Sequence, residues 1–295
     1  MSTVPANGER TSPEDFRTLI SAGKLADILG RDDVVVLDAR FTLDDESWGA
    51  RAYAEGHIPT ARFANLATDL AGPIVPGITG RRPFPDPADF ATRVGRWGID
   101  NGTQVIAYDA EGGLMAASRV WLMLRWLGHD RVAVLDGGLN AWIQAGGELT
   151  TEVVARPERA FTAHLRPRLL ADVTEVDAVR VLEPTRVFDS RGAEGYHGRG
   201  VYHDPVRGHI AKAGLADRAQ TMDASGRLRS PDELRTHYRE LIGDLEATDV
   251  IFYCGSGVTA AQNVLAMEHA GLPGSRMYVG SWSEWITDPN REIEI

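Results

Sequence analysis

The stretch "VIAYDAEGG" at residues 105–113 recurs as "VIFYCGSGV" at residues 250–258. In both copies a short apolar run with β-branched residues leads into polar residues and glycine, a pattern typical of a buried strand that ends in a loop. Three further pairs recur in the same order, each displaced by about 150 residues, which is far longer than a solenoid repeat. These pairs are "VVVLDAR" (34–40) with "RVFDSR" (186–191), "EGHIPTARFANL" (55–66) with "RGHIAKAGLADR" (207–218), and "LDGGLNAW" (135–142) with "YVGSWSEW" (278–285). Four matches in one order indicate a tandem duplication of one domain.

Segments with helical spacing of apolar residues lie between the strand-like runs. Two of them, "DPADFATRVGRWG" (86–98) and "AASRVWLMLRWLG" (116–128), end in glycine, a common helix stop. The alternation of strand and helix predicts an α/β fold in which each half is a parallel sheet flanked by helices. Residues 151–167 contain two prolines and no sustained period, so we predict domains at 1–150 and 168–295 joined by that linker.

Composition excludes several classes of function. The net charge of −11 disfavours non-specific binding to nucleic acid or to an anionic membrane. No apolar run approaches the roughly 20 residues that cross a bilayer, and the polar N-terminus lacks the pattern of a signal peptide. A single cysteine cannot form an internal disulfide, so we expect a cytoplasmic protein. From the charge and the short apolar runs we expect no nucleic-acid or membrane partner.

That single cysteine, Cys254, follows a strand-like run and precedes "GSGVTAAQNVLAMEHAG", a loop that leads into a helical pattern. Two glycines, Gly255 and Gly257, let the loop curl so that N–H groups point inward, and the helix adds a positive end. Both effects lower the pKa of a thiol. A lone cysteine is more often a buried hydrophobe, but the polar loop and the aspartate at the equivalent position of the first half, Asp109, favour a reactive site.

The loop limits the chemistry that the thiol can perform. A phosphate-transferring cysteine needs an arginine six positions later to clamp phosphate oxygens, but that position is Ala260 and the next arginine is Arg276. A persulfide is small and anionic, and inward N–H groups stabilise it without such a clamp. The sequence therefore predicts covalent sulfur transfer on Cys254.

The tandem halves, the "LDAR" and "FDSR" segments, the two "GHI" segments and the loop "CGSGVTA" resemble a two-domain rhodanese-type sulfurtransferase over nearly the whole chain. The loop resembles that of 3-mercaptopyruvate sulfurtransferases more than that of thiosulfate:cyanide sulfurtransferases, which carry charged residues after the cysteine. The resemblance implies a non-catalytic first domain with Asp109 at the cysteine position, a catalytic second domain, and an active site in the cleft between them.

The resemblance also implies roles for individual residues. Cys254 is the nucleophile that forms the persulfide, Arg191 binds the substrate anion, and Ser256 with His57 belongs to a polar relay that assists C–S cleavage. The acidic member of the relay is not placed, because none of Asp44, Asp45 and Glu46 aligns securely. The persulfide cradle consists of Gly255, Ser256, Gly257, Val258 and Thr259.

One position departs from the resemblance. Rhodanese-type enzymes usually have a second arginine four residues after the arginine of "DSR", where this chain has Gly195. Either Arg199 or Arg207 compensates, or the pocket accepts a different sulfur donor. In the proline-rich segment "GRRPFPDP" (80–87), Arg81 or Arg82 borders the cleft and steers anions, or the segment is a solvated loop.

Metal binding is not expected in the histidine-rich segment. His197, His203, Asp204 and His209 lie close together in sequence, but their spacing matches no standard zinc site, so we interpret the histidines as exposed loop residues.

We therefore predict a sulfurtransferase that needs no metal or organic cofactor. Its donor is a small anion, 3-mercaptopyruvate or alternatively thiosulfate, and its acceptor is cyanide or a thiol such as a small thiol or a thioredoxin-like protein. A non-catalytic sensor or scaffold that keeps the fold is the alternative from another class.

Overall fold

The computed structural model describes residues 15–110, 112, 114–199 and 203–295. Each half contains a five-stranded sheet in which every pair of neighbouring strands is parallel, with helices packed on it, so the predicted α/β class is confirmed. The two sheets have the same topology, as expected for a duplicated domain.

The first sheet has the strand order β1-β5-β4-β2-β3. Its strands are β1 (Leu19–Ile20), β2 (Val34–Asp38), β3 (Arg62–Phe63), β4 (Gln104–Tyr108) and β5 (Val132–Leu135). The helices of this half are α1 (Ala22–Ile28), α2 (Trp48–Glu55), α3 (Pro87–Arg96), α4 (Ala116–Trp126) and α5 (Gly138–Gln144). Strands β2, β4 and β5 are buried along their whole length, which explains their continuous apolar sequences.

The second half repeats this order as β6-β11-β10-β7-β9, and strands β8 and β12 form a separate, antiparallel two-stranded sheet. Its strands are β6 (Leu170–Ala171), β7 (Val187–Asp189), β8 (His209–Ile210), β9 (Gly214–Leu215), β10 (Ile251–Tyr253), β11 (Arg276–Tyr278) and β12 (Ile293–Glu294). Its helices are α6 (Val173–Val179), α7 (Ala193–Tyr196), α8 (Pro231–Ile242), α9 (Ala260–His269) and α10 (Ser281–Trp285). Short 3₁₀ turns occur at Pro167–Leu169, Arg218–Thr221 and Ala247–Asp249.

Local sequence signals account for the helix starts. At α8, the Ser230 hydroxyl accepts the N–H of Glu233 while the Glu233 carboxylate accepts the N–H of Ser230, a reciprocal capping box. At α3, the Asp86 carboxylate accepts the N–H groups of Ala88 and Asp89, and proline occupies the first helical position.

The two halves share their largest hydrophobic cluster, and each half also has a smaller cluster of its own. Helix α4 of the first half packs against α9 of the second, and the largest cluster of buried apolar side chains includes residues of both halves. Residues 151–166 form neither helix nor strand and lie along the first half, where Arg159 N–H donates to Gly95 and His164 N–H donates to Leu127. The packing of α4 on α9 brings the loop before α9 to the boundary between the halves.

Candidate active site

Cys254 lies directly after β10, at the carboxyl end of the central strand of the second sheet. Its side chain is 1% exposed. Its N–H donates to the Ser281 hydroxyl at 3.1 Å, and its carbonyl accepts the N–H of Trp282 at 3.0 Å. The start of α10 therefore fixes the backbone that carries the thiol, at the sheet edge where ligand sites of open parallel sheets are found.

The thiol faces a ring of hydrogen-bond donors. Burial raises the pKa of Cys254, but hydrogen bonds from the Thr259 hydroxyl and from the N–H groups of Ala260, Ser256 and Gly257 outweigh it and leave the pKa below its ordinary value. Because each of these donors favours the charged sulfur, the loop is built to hold an anion.

Gly257 is the residue that allows the loop to turn inward. Its φ is +76°, and a Cβ at this position would lie 2.0 Å from the carbonyl oxygen of Val279. Only glycine tolerates both the left-handed backbone and this close approach. The glycine that the sequence predicted for a tight cradle is thus required on two separate grounds.

A buried arginine of the first half donates a hydrogen bond to the backbone of the cradle. Arg119 of α4 is fully buried and donates to the carbonyls of Gly257, Leu70, Arg82 and Pro83. Burial lowers its pKa to about 9, an effect that the charge of the Cys254 thiolate opposes. No carboxylate in the described part of the chain pairs with it, so its positive charge acts on the cradle and on backbone carbonyls.

The thiol opens into a cavity of about 190 Å³ at the boundary between the halves. The first half contributes Phe41, Leu43, Arg81 and Met115, and the second contributes Arg191, Gly195, His203, Asp204 and the loop residues Cys254, Gly255, Ser256, Val258 and Thr259. A larger cavity of about 420 Å³ has walls that include residues 79, 80, 83 and 84, but Cys254 does not line it. The smaller cavity is therefore the candidate active site.

Arg191 presents a fixed positive charge to this cavity. Its guanidinium contacts both carboxylate oxygens of Asp189, with Nη2 at 2.6 Å from Oδ2, and Nη2 also donates to Gly208. Burial lowers the pKa of Arg191, but the charge of Asp189 and the hydrogen bonds to it leave that pKa raised. The ring of Trp282 lies beneath the guanidinium, 5.2 Å from its carbon. Arg191 is therefore a cation at every physiological pH.

Both halves of the chain match the family model of the rhodanese-like domain, at residues 21–145 and 173–288. The chain belongs to the rhodanese family. A probable 3-mercaptopyruvate sulfurtransferase of Pseudomonas aeruginosa is 41% identical over 276 residues, which cover 93% of this chain and 97% of the relative. Thiosulfate sulfurtransferase of Gallus gallus is 34% identical over 85% of this chain and 86% of its own length. The solved 3-mercaptopyruvate sulfotransferase SseA from Escherichia coli superposes with a TM-score of 0.77 at 30% identity, covering 91% of this chain and all of that one. This rhodanese is a sulfurtransferase.

The loop serine of this rhodanese lies at the cavity. Ser256 is 7% exposed and lines the cavity beside Cys254, to which its backbone N–H donates. Within the described residues its hydroxyl has no hydrogen-bond partner, so it is available to a ligand. The structure thus brings together Cys254, Ser256, Arg191 and the cradle residues that the sequence predicted.

His57 is not brought to the thiol, and the relay assigned to it requires correction. Its ring stacks on Tyr53 at 3.9 Å between centroids, Nδ1 lies 2.8 Å from the Tyr53 carbonyl, and Nε2 lies 3.2 Å from the Glu152 carbonyl. His209 of the second "GHI" segment repeats this arrangement on Tyr196, with ring centroids 3.6 Å apart. A feature that both halves share, with or without the cysteine, is structural.

Two further expectations for this region are resolved. His209 is 4% exposed and lies in β8, so the interpretation of the clustered histidines as exposed loop residues is wrong for His209, although His197 and His203 are exposed. Arg82 pairs with Glu46 away from the cavity, whereas Arg81 lines it. Among the described residues no three His, Cys, Asp or Glu side chains could jointly hold a metal ion, and no helix there is long and apolar enough to cross a membrane.

In the first domain, the loop after β4 is equivalent to the cradle, and an aspartate side chain accepts hydrogen bonds from its N–H groups. The Asp109 carboxylate follows β4 and accepts the N–H groups of Met115 at 3.0 Å and Ala117 at 2.9 Å. The side-chain carboxyl group of Asp109 thus occupies the place where the second domain holds its sulfur. This equivalence supports the interpretation of the loop as an anion cradle.

Sequence reasoning missed Arg119, Ser281 and the ion pair of Arg81 with Asp204. Arg119 had one visible signal, since it is a charge inside the otherwise apolar run "AASRVWLML". The other two contacts join segments far apart in the sequence and leave no local pattern.

Proposed function

We propose that this sulfurtransferase takes a sulfur atom from 3-mercaptopyruvate onto Cys254 and passes it to a thiol. One observation carries the proposal: the Cys254 sulfur lies among three backbone N–H groups and the Thr259 hydroxyl, which lower its pKa in spite of complete burial. The same donors stabilise the outer sulfur of a persulfide, because that sulfur is also an anion.

In the first step the Cys254 thiolate attacks the donor thiol. The new S–S bond forms as the donor's C–S bond breaks, and the electron pair of that bond moves to carbon as the enolate of pyruvate. A proton moves from the persulfide sulfur to this carbon, directly or through a hydroxyl, and yields pyruvate with an anionic persulfide. The Ser256 hydroxyl lines the cavity and is placed to pass this proton or to polarise the donor carbonyl.

Arg191 binds the carboxylate of the donor. Its charge is fixed by Asp189, and its side chain reaches the cavity from the second domain. A guanidinium held in one orientation binds a planar carboxylate with little loss of side-chain entropy.

In the second step the sulfur of an acceptor thiol attacks the outer sulfur of the persulfide, and the S–S bond to Cys254 breaks. The proton of the acceptor thiol passes to the transferred sulfur, and Cys254 leaves as the stabilised thiolate. The narrow cavity suits cyanide, a small thiol or an exposed thiol on a thioredoxin-like protein. We also propose that the protein acts in the cytoplasm, since a lone reactive thiol is kept reduced there.

Thiosulfate is the second candidate donor, because relatives include thiosulfate sulfurtransferases. With thiosulfate the same thiolate attacks the outer sulfur and sulfite leaves. The uncharged residues Gly255 and Ser256 beside the thiol favour mercaptopyruvate, since a doubly charged donor gains from cations at those positions.

An intact-mass measurement tests the proposal. The protein is incubated with mercaptopyruvate or with thiosulfate and then desalted before mass spectrometry. We expect a gain of one sulfur atom, absent in Cys254→Ser, and release of that sulfur on addition of a small thiol. No adduct with either donor would show that Cys254 does not carry sulfur, and a faster reaction with thiosulfate would reverse the order of the donors.

A further inference from the structure

The cavity lacks the cation that rhodanese-type enzymes usually place four residues after the arginine of "DSR". Gly195 lies in α7 and lines the cavity, and a Cβ there would lie 3.3 Å from Cβ of Arg191. Arg199 and Arg207, the two nearby candidates for compensation, do not line the cavity. A second cation, if the site has one, must come from elsewhere in the chain.

Arg81 supplies a cation from the first domain. Its N–H donates to the Ser283 hydroxyl of α10 at 3.0 Å, and the preceding Gly80 packs so closely on Gly280 that a Cβ would lie 2.4 Å from the Gly280 carbonyl oxygen. The loop that carries Arg81 is thus fastened to the same segment that fixes Cys254. This attachment sets the position of Arg81 relative to the thiol.

The guanidinium of Arg81 extends toward the persulfide loop. Its Nη2 atom lies 3.7 Å from the point that a Cβ of Gly255 would occupy. Burial lowers the pKa of Arg81, the charge of the Cys254 thiolate raises it, and the charges of Arg82 and Arg191 lower it. Arg81 therefore lies within electrostatic reach of both the thiolate and Arg191, and both arginines line the cavity.

Arg81 already forms an ion pair with a carboxylate of the same chain. The guanidinium pairs across the domain boundary with Asp204, whose side chain is 10% exposed and also lines the cavity. In this structure the carboxylate of Asp204 stands in for the kind of anion that the cavity is expected to receive.

We propose that Arg81 is the second anion-binding residue of this enzyme, that it and Arg191 hold the donor carboxylate from opposite domains, and that Asp204 competes with the donor for Arg81. The inference rests on the proposed function, since it concerns how that donor is bound. A carboxylate donor displaces Asp204 by making the same type of pair. The affinity of the enzyme for its donor is then set by the difference in free energy between the Arg81–Asp204 pair and the pair of Arg81 with the donor carboxylate.

Steady-state kinetics with mercaptopyruvate test this assignment. Because a charge-assisted hydrogen bond is lost, we expect Arg81→Ala to raise KM roughly 10- to 100-fold while kcat changes by less than about threefold. Asp204→Asn removes the competing charge and should lower KM. Arg82→Ala is the matched control, since it removes the adjacent arginine, which pairs with Glu46 outside the cavity, and should leave KM unchanged.

A double variant and two folding checks complete the test. Arg81→Ala combined with Gly195→Arg returns a cation to the cavity, and we expect it to recover part of the lost KM. The thermal midpoint and the alkylation rate of Cys254 show whether each variant keeps its fold and its cradle.

Two results would overturn the inference. An Arg81→Ala enzyme with the KM of the wild type would exclude Arg81 from donor binding. An Asp204→Asn enzyme with a raised KM would show that Asp204 orients Arg81 instead of competing with the donor. Either result can occur while the wild type still gains its sulfur adduct, so failure of this inference is distinct from failure of the proposed function.

Discussion

Thr259→Val isolates one hydrogen bond of the persulfide cradle. The hydroxyl of Thr259 donates to the Cys254 sulfur and makes no capping hydrogen bond at the start of α9, so its removal leaves the helix cap unchanged. Valine has nearly the same shape. A hydrogen bond to a charged group contributes about 1.5–3 kcal/mol. At 1.36 kcal/mol per pKa unit, we expect the pKa of Cys254 to rise by about 1–2 units.

The assay is the rate of alkylation by iodoacetamide as a function of pH. Cys254 is the only cysteine, so every modified molecule reports this thiol. The wild-type midpoint should lie below the ordinary thiol value of about 8.5, and that of Thr259→Val should lie higher. At pH values below both midpoints the thiolate fraction falls about 10- to 100-fold, and the greater nucleophilicity of the more basic thiolate recovers roughly half of this on a logarithmic scale.

Thr259→Ser is the control, since it keeps the hydroxyl and should keep the wild-type midpoint. Coincident midpoints for Thr259→Val and the wild type would refute the assignment of this hydrogen bond. If the serine variant shifted as far as the valine variant, packing of the methyl group would be responsible. The depressed pKa also stabilises the fold above about pH 8.5, and this contribution is lost as the pH falls through the wild-type midpoint. The difference in unfolding free energy between wild type and Thr259→Val should therefore be largest at alkaline pH.

Three further substitutions test other parts of the site. Gly257→Ala places a methyl group 2.0 Å from the Val279 carbonyl oxygen and should abolish the sulfur adduct in intact-mass spectra, so an adduct on this variant would contradict the close packing. Gly30→Ala is the control, since Gly30 has a similar positive φ but open space around it, and it should lower the free energy of unfolding in urea by only about 1 kcal/mol. Arg119→Met leaves the carbonyls of Leu70, Arg82 and Gly257 without this donor, whereas Pro83 keeps the N–H of Gly72, and it should lower the free energy of unfolding by about 3 kcal/mol or more. Unchanged stability would show that other groups satisfy these three carbonyls. Asp109→Asn weakens the hydrogen bonds in the equivalent loop of the first domain and should cost about 1–2 kcal/mol in the same assay without altering sulfur transfer; reduced transfer would tie that loop to catalysis.

The fold and the centre of the site follow from local patterns. Buried parallel strands have continuous apolar sequences, and the strand–loop–helix pattern around Cys254 is contiguous, so both are visible along the chain. The contacts of Arg119 with Gly257 and of Arg81 with Asp204 depend on how one domain packs on the other, and no local pattern encodes that packing.

His57 shows how a repeated motif can mislead. The "GHI" segment occurs in both halves, although only one half has the cysteine, so the repetition itself favoured a role common to both domains. The stacking of His57 on Tyr53 and of His209 on Tyr196 is that common role.

The buried guanidinium of Arg119 determines whether the two copies of the duplicated domain can be stable apart from each other. The Arg119 side chain donates to carbonyls of both copies, and the largest cluster of buried apolar side chains includes residues of both. Cleavage between the copies would therefore not release two independently stable proteins. After duplication, the two copies form one cooperative folding unit, so both should unfold together on heating and give a single calorimetric peak.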